Sequence, residues 1–356
     1  MTVVLQSESG AWDASGWQRE VNDAGALLRQ AHTRVLATLL DNGPASVALD
    51  EAALGARVVH VPLPPFFTPE QLGHALDAAG VDTIAAHPLL AERWPQLRWT
   101  PHRLAGEAVC LAERPGAPRD LPAGTVKITF TSGTTGRPKG VCLGAPALEA
   151  VTAGLVQALG PLGITRHLSV LPYAVLLENV AGAMAARRQG ATLLSLPTRR
   201  LGLTGSSQFD PAAFDRALRE HGAHSVILLP QMLRAWCAWL GRSGQRADPG
   251  LRFVAVGGAA VGAPLLTQAH ALGIPAYEGY GLSEACSVQT LNLPGANRPG
   301  SAGRVLPHGQ VRIAPDGEIE LRGSLHLGYL GDPVPVPDWW PSGDIGRLDA
   351  DGYLHI

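Results

Sequence analysis

Apolar and polar positions along the chain predict short buried strands interleaved with helices. Leu27, Leu28, Leu36, Leu39 and Leu40 recur at roughly helical spacing, which predicts a helix over 25–41 stopped by Asn42-Gly43-Pro44. Val58-Val59-His60-Val61 reads as a buried strand, broken by Pro62 and Pro64. Thr68-Pro69-Glu70-Gln71 is a helix start: Thr68 can cap, Pro69 suits the first helical position, and Gln71 lies three residues after the cap. That helix should end at Gly80, ahead of a strand around Thr83 to Ala86. Residues 112–124, with three prolines, two glycines and four charges, read as a surface linker.

Strand and helix signals then alternate. Strands are predicted at Val126–Phe130, His167–Leu171, Ala191–Leu196, Val226–Leu229 and Phe253–Val256. Helices are predicted over about 175–189 and from Asp210-Pro211 to His221-Gly222. Repeated β-α-β order with apolar strands implies an α/β fold with mainly parallel sheet. After about residue 295 the pattern changes. Val311–Ile313, the turn Pro315-Asp316-Gly317 and Glu318–Leu321 form a hairpin pattern, and Asp349–Gly352 is another turn. The last stretch therefore reads as a small barrel or sheet on the α/β body.

Bulk composition narrows the class without naming a function. The 356 residues allow two or three folding units at roughly 100–200 residues each. Hydrophobic residues make up 46% and charged residues only 16%, which argues against a disordered chain. A net charge of -2, with Arg187-Arg188 and Arg199-Arg200 as no more than pairs, offers no nucleic-acid footprint. The N-terminus lacks the basic and apolar regions of a secretory signal, and no apolar run is long enough to span a bilayer. Cys110, Cys142, Cys237 and Cys286 are too far apart for a CxxC site, so free thiols in a reducing cytoplasm are expected.

The chemistry concentrates in Thr131-Ser132-Gly133-Thr134-Thr135-Gly136-Arg137-Pro138-Lys139-Gly140, directly after a predicted strand. Three glycines allow close backbone approach, four hydroxyls and free N–H groups can converge on an anion, and Lys139 adds positive charge. A polyphosphate asks for this combination. The common kinase and ATPase loop needs Gly-Lys-Ser/Thr after its second glycine, whereas Gly136 is followed by Arg137-Pro138-Lys139.

This segment resembles, at every position, the signature loop of the adenylate-forming enzymes: acyl-CoA synthetases, aryl-CoA ligases, luciferases and nonribosomal peptide adenylation domains. Tyr280-Gly281-Leu282-Ser283-Glu284 is similar to their second signature, with Ser283 in place of threonine. Val256-Gly257-Gly258-Ala259 and Trp340-Pro341-Ser342-Gly343-Asp344 resemble two further segments, and Gly317-Glu318-Ile319 and Gly328–Asp332 also fit in order. The likeness covers nearly the whole chain, most firmly 126–356.

The resemblance implies a large N-terminal domain of that family over residues 1–356. It would comprise two mainly parallel sheets with packed helices and a small C-terminal β-barrel-like subdomain, divided at about 1–165, 166–295 and 296–356. It implies ATP and Mg²⁺ as cofactors and a small carboxylic acid as substrate, activated to acyl-AMP and passed to CoA or to the phosphopantetheine of an acyl carrier protein. Thr131, Ser132, Gly133, Thr134, Thr135, Gly136 and Lys139 would hold the phosphates. Tyr280 would stack on adenine, among Gly257, Gly258, Ala259, Glu278, Gly279 and Gly281. Ser283 would contact phosphate, Glu284 with Thr131 would serve Mg²⁺, and Asp344 would bind the ribose. Thr131, Lys139 and Glu284 are the expected catalytic residues.

Two departures from the family pattern bear on activity. Leu171-Pro172-Tyr173-Ala174-Val175-Leu176-Leu177-Glu178 resembles a long-chain acyl-CoA synthetase segment but carries Val175 where a histidine or aromatic borders the acyl channel. Its apolar stretch Ala174–Leu177 argues against an amino-acid substrate, and the match favours a fatty acid, with an aryl acid next. The family also continues past Gly352–Ile356 into a hinge and a small domain with a catalytic lysine. Without that lysine the chain is expected to bind ATP or acyl-AMP but adenylate poorly. The rival reading is a non-catalytic module that binds a nucleotide or acyl-adenylate.

Overall fold

The computed structural model describes residues 2–64, 66–131, 138–205 and 208–356. Two large sheets dominate. The smaller runs Gly328–Tyr329, Lys139–Gly144, Thr125–Thr131, Val59–Pro62, Val35–Leu39, Thr83–Ala86, Glu107–Glu113, Trp99–Leu104. Its four central strands are parallel and its flanks are antiparallel. The larger runs Arg304–Val305, Ser287–Leu291, Ala276–Leu282, Phe253–Val256, Ser225–Leu228, Arg166–Ser169, Thr192–Ser195, Val3–Ser7, Gly10–Asp13. It is parallel from Ala276–Leu282 to Val3–Ser7. The parallel strands Val35–Leu39, Thr83–Ala86, Thr192–Ser195 and Ser225–Leu228 are buried along their length, as a sheet covered by helices on both faces requires.

The C-terminal stretch is a three-stranded sheet, Gln310–Ile313, Glu318–Arg322 and Trp340–Ile345, with the ribbon Arg347–Leu348 and Leu354–His355. Among the described residues these strands form open sheets and no closed barrel, so of the small barrel or sheet expected there, it is the sheet that is present. The predicted hairpin is present, with Gln310 paired to Arg322 and Ile313 to Ile319.

The helix expected over 25–41 is two elements. A helix spans Ala14–Gln30, capped by the Asp13 carboxylate on the N–H of Gly16, and a strand spans Val35–Leu39. The leucines share a spacing by coincidence. His32, at φ +49, turns the chain between them. Asn42-Gly43-Pro44 stops no helix; Pro44 opens one, Pro44–Ala56. The Thr68 capping box is formed in both directions.

The two sheets meet across a buried polar network. Lys127, on Thr125–Thr131, approaches Asp50 of the Pro44–Ala56 helix at 2.8 Å. Asp50 also pairs with His60 at 2.5 Å, and His60 contacts Thr38 at 2.9 Å. Asn179, from the larger-sheet side, donates to Asp50 at 3.2 Å and accepts from Lys127. Burial alone would push the Asp50 carboxyl up, but Lys127 and His60 together hold it well below the usual carboxylate range. Every polar group here has a partner, which is the condition for burying charge at tolerable cost.

Candidate active site

Thr131 ends one strand and Lys139 begins the next, and the two are paired across the antiparallel ladder. The ends of the signature segment therefore stand side by side, with Thr131 half-buried and Lys139 exposed. Ser132, Gly133, Thr134, Thr135 and Gly136 lie outside the described residues. The Lys139 ammonium sits 5.4 Å from the centroid of the Tyr329 ring.

A cavity of about 190 Å³ opens in the larger sheet. Gly257 and Gly258, just past the strand Phe253–Val256, lie on one wall. Gly279, Tyr280, Gly281 and Ser283 lie on another. Val175, Leu176, Leu177, Ile227, Val288 and Leu291 supply apolar surface. The strand Ala276–Leu282 shifts register between Tyr280 and Gly281, and at Gly281 it runs so close to its neighbour that an added Cβ would lie 1.9 Å from the Ser287 carbonyl oxygen. Glycine is therefore required there by the sheet itself. The return strand begins under strain, with Cys286 at φ +55 and Ser287 at φ +106. The Ser287 hydroxyl is buried and has no protein partner among the described residues.

Beyond the cavity, two carboxylates are each held by a phenol. Tyr329 donates to Glu284 Oε1 at 2.8 Å, and Tyr280 donates to Asp344 Oδ2 at 2.8 Å. Burial first, then the adjoining carboxylate, pushes both phenols above their ordinary range, so each remains a donor. Gly343, at φ +81, donates its N–H to Glu318 Oε1 at 2.7 Å, which fixes the turn that presents Asp344. The backbone of Gly328–Tyr329 is zipped to Val141–Cys142, so Tyr329 is carried on the same sheet as Lys139.

The structure thus brings Gly257, Gly258, Gly279, Tyr280, Gly281 and Ser283 to one cavity, and Tyr280 reaches Asp344. Two sequence candidates stand apart. Glu278 is buried and spends its carboxylate on the N–H of Val261 at 3.0 Å, and Ala259 is exposed; neither lines the cavity. Tyr329 is the residue that sequence reasoning missed: Gly328–Asp332 stood out as a segment, but nothing local indicates that its tyrosine bonds Glu284, forty-five positions away.

The family described as AMP-binding enzyme matches residues 15–328. The chain belongs to this family. The family match and the α/β fold agree with the sequence reading. The chain is 30% identical over 308 residues to an indoleacetate–CoA ligase of Aromatoleum aromaticum, covering 77% of this chain and 55% of that protein. It is 31% identical over 351 residues to a feruloyl-CoA synthase of an Amycolatopsis species, covering 90% and 67%. It superposes on o-succinylbenzoate coenzyme A synthetase from Bacillus subtilis, in complex with AMP, with a TM-score of 0.78 at 21% identity, covering 99% of this chain and 75% of that one. The chain spans about half the length of several curated relatives it matches. These names carry aromatic acids and coenzyme A. They give no support to the lean toward a fatty acid drawn from Leu171–Glu178, nor to a carrier-protein acceptor. Among the described residues no helix is long and apolar enough to cross a membrane.

Proposed function

We propose that this AMP-binding enzyme activates an aromatic carboxylic acid with ATP, as the first half of a coenzyme A ligase reaction. The observation that carries this reading is the apolar cavity walled by Val175–Leu177 and Val288, which opens beside Tyr280, Ser283 and the carboxylates of Glu284 and Asp344. A ring in the cavity leaves its carboxylate at the polar end, where the nucleotide would lie.

Thr131 and Lys139 hold the phosphates in this reading, Tyr280 covers the adenine and Asp344 accepts from the ribose hydroxyls. A carboxylate oxygen of the acid attacks the α-phosphorus, the bond to the bridging oxygen breaks, and pyrophosphate leaves with the electron pair. No proton needs to move. The protein's contribution is alignment and charge neutralisation, with the Lys139 ammonium facing the leaving group. Among the described residues no cluster of three or more His, Cys, Asp or Glu could hold a metal. Glu284 and the Thr131 hydroxyl fit Mg²⁺, which takes few protein oxygens and completes its shell with phosphate and water. When bound, it neutralises charge on the phosphates.

The test is pyrophosphate release by the full gene product with indoleacetate, ferulate and 2-succinylbenzoate against decanoate and palmitate. Faster release with one of the aromatic acids is expected. Preference for the fatty acids would overturn the substrate class. AMP binding with no pyrophosphate from any acid would favour a non-catalytic module.

A further inference from the structure

The Leu171–Glu178 segment ends in a residue that the site described above does not use. Glu178 is completely buried, yet it does not line the cavity. Its Oε2 accepts from the N–H groups of Val170 at 3.1 Å and Leu171 at 3.0 Å. Its Oε1 lies 3.1 Å from His167 Nε2, and His167 Nδ1 lies 2.9 Å from Ser225 Oγ. Gly182 makes room for this carboxylate: a Cβ there would lie 2.1 Å from Glu178 Oε1.

The next residue reaches the other way. Asn179 joins Asp50 and Lys127, in the network facing the smaller sheet. Adjacent side chains are thus anchored to opposite sheets. Both stand at the start of a π-helix, Leu177–Met184, which relaxes into an α-helix at Ala185–Gln189. A π-turn is wider than an α-turn and is a rare local cost, retained where something else fixes it. Here the two buried anchors do so. The N–H groups of both residues also converge on one carbonyl, Val175 O, at 3.0 and 3.1 Å. Val175, Leu176 and Leu177 are the three consecutive residues that form this side of the cavity.

We infer that Glu178 and Asn179 are positioning residues for the cavity wall: by pinning the first π-turn to both sheets, they fix where Val175–Leu177 stand and so which acyl groups fit. This rests on reading the cavity as the acid pocket. Neither side chain touches the ligand in this scheme. A leucine at 178 would leave the N–H groups of Val170 and Leu171 buried without an acceptor, so the turn would shift to find them partners. A glutamine keeps an acceptor for them.

The test is calorimetric titration of the chain with AMP and with feruloyl sulfamoyl-adenosine, a stable mimic of an aryl-adenylate, with thermal melts of each variant. Wild type should bind the mimic more tightly than AMP. E178L should lose that preference by about tenfold or more with AMP affinity unchanged, and E178Q should keep most of it. N179A, which leaves Glu178 in place, gives a second reading should E178L not fold, and the same direction of change is expected. A preference kept intact in E178L, or in N179A where that variant stands alone, overturns the positioning role while leaving the acid pocket standing. Equal weakening of AMP and mimic overturns it too, as loss of general structure. Wild type with no preference overturns the acid-pocket reading and this inference with it.

Discussion

The seam between the two sheets and the cavity in the larger sheet are both rich in polar groups, and they treat them in opposite ways. In the seam, Asp50, Lys127, His60, Thr38 and Asn179 satisfy one another, and the network is closed. Around the cavity, among the described residues, Glu284 and Asp344 are held by neutral phenols, Lys139 lies near an aromatic ring, and the Ser287 hydroxyl has no protein partner. A group that serves the fold is paired with its complement. A group that serves a ligand is held in place while keeping capacity for another bond.

The largest expected effect tests the closed side. Asp50→Asn leaves the Lys127 ammonium buried without its anion. Breaking a buried pair in this way costs about 3–5 kcal/mol, measurable by urea denaturation. AMP affinity of the folded protein should stay within about twofold, because the site is made by other residues. A large loss of AMP affinity in a protein of unchanged stability would break the division drawn above. The sign with pH follows from the depressed carboxyl. The stabilisation is present above the unfolded value near 3.8 and is lost as pH falls below it.

A second carboxylate at the same helix sharpens the contrast. Glu107 accepts from the N–H of Ala45 at 2.9 Å, capping Pro44–Ala56 where Gly43 has no side chain to do so. Among the described residues it pairs with no cation, and burial, reinforced by Asp41 against the pull of that N–H, pushes it up to about 7. Between 4.5 and about 7 the folded state therefore binds more protons than the unfolded state, so stability falls as pH rises through this window. Glu107→Gln should remove that fall and raise stability above pH 7 by up to about 3 kcal/mol, at about 1.4 kcal/mol per pKa unit. Thermal melts of both proteins from pH 4 to pH 8 would show it; parallel curves would refute it.

Gly281→Ala tests the cavity side. Its Cβ would lie 1.9 Å from the Ser287 carbonyl, so the strand pair must spread. Overpacking of this kind costs about 1–3 kcal/mol. Because both strands line the cavity, binding of an aryl-adenylate mimic should fall more than stability does. Equal binding by wild type and variant would show that the bulge is a feature of the fold alone.

What the sequence disclosed follows the same division. Strands such as Val59–Pro62 and Phe253–Val256, and the Thr68 and Asp210 caps, depend on neighbours a few positions away and were readable. The Ala14–Gln30 helix and Val35–Leu39 strand were merged, because leucine spacing alone does not register the turn at His32. At the site, Tyr280 and Asp344 were legible as motif members, and they meet across sixty-four positions. Tyr329 on Glu284, and Asn179 on Asp50, were not, since pairing between distant segments leaves no local signal. The carboxylate of Glu278 is engaged by the Val261 N–H, seventeen positions away, a contact that its place beside the motif does not disclose.

Ser287→Ala carries the smallest expected effect and the most direct reading of the comparison. A buried hydroxyl with no partner costs about 1–3 kcal/mol relative to a paired one. Alanine has a similar objection to φ +106 as serine, so the backbone strain is retained on both sides of the substitution. What changes is the removal of a buried polar atom that has no partner among the described residues. The variant should therefore be more stable than wild type by about 1 kcal/mol, seen as a higher denaturation midpoint with the same slope. A seam residue behaves oppositely: Thr38→Val deletes the hydroxyl that contacts His60, and should lower stability by a similar amount. If Ser287→Ala were instead destabilised as Thr38→Val is, the Ser287 hydroxyl would be serving the fold, and the boundary between the two regions would have to be moved to exclude it from the site.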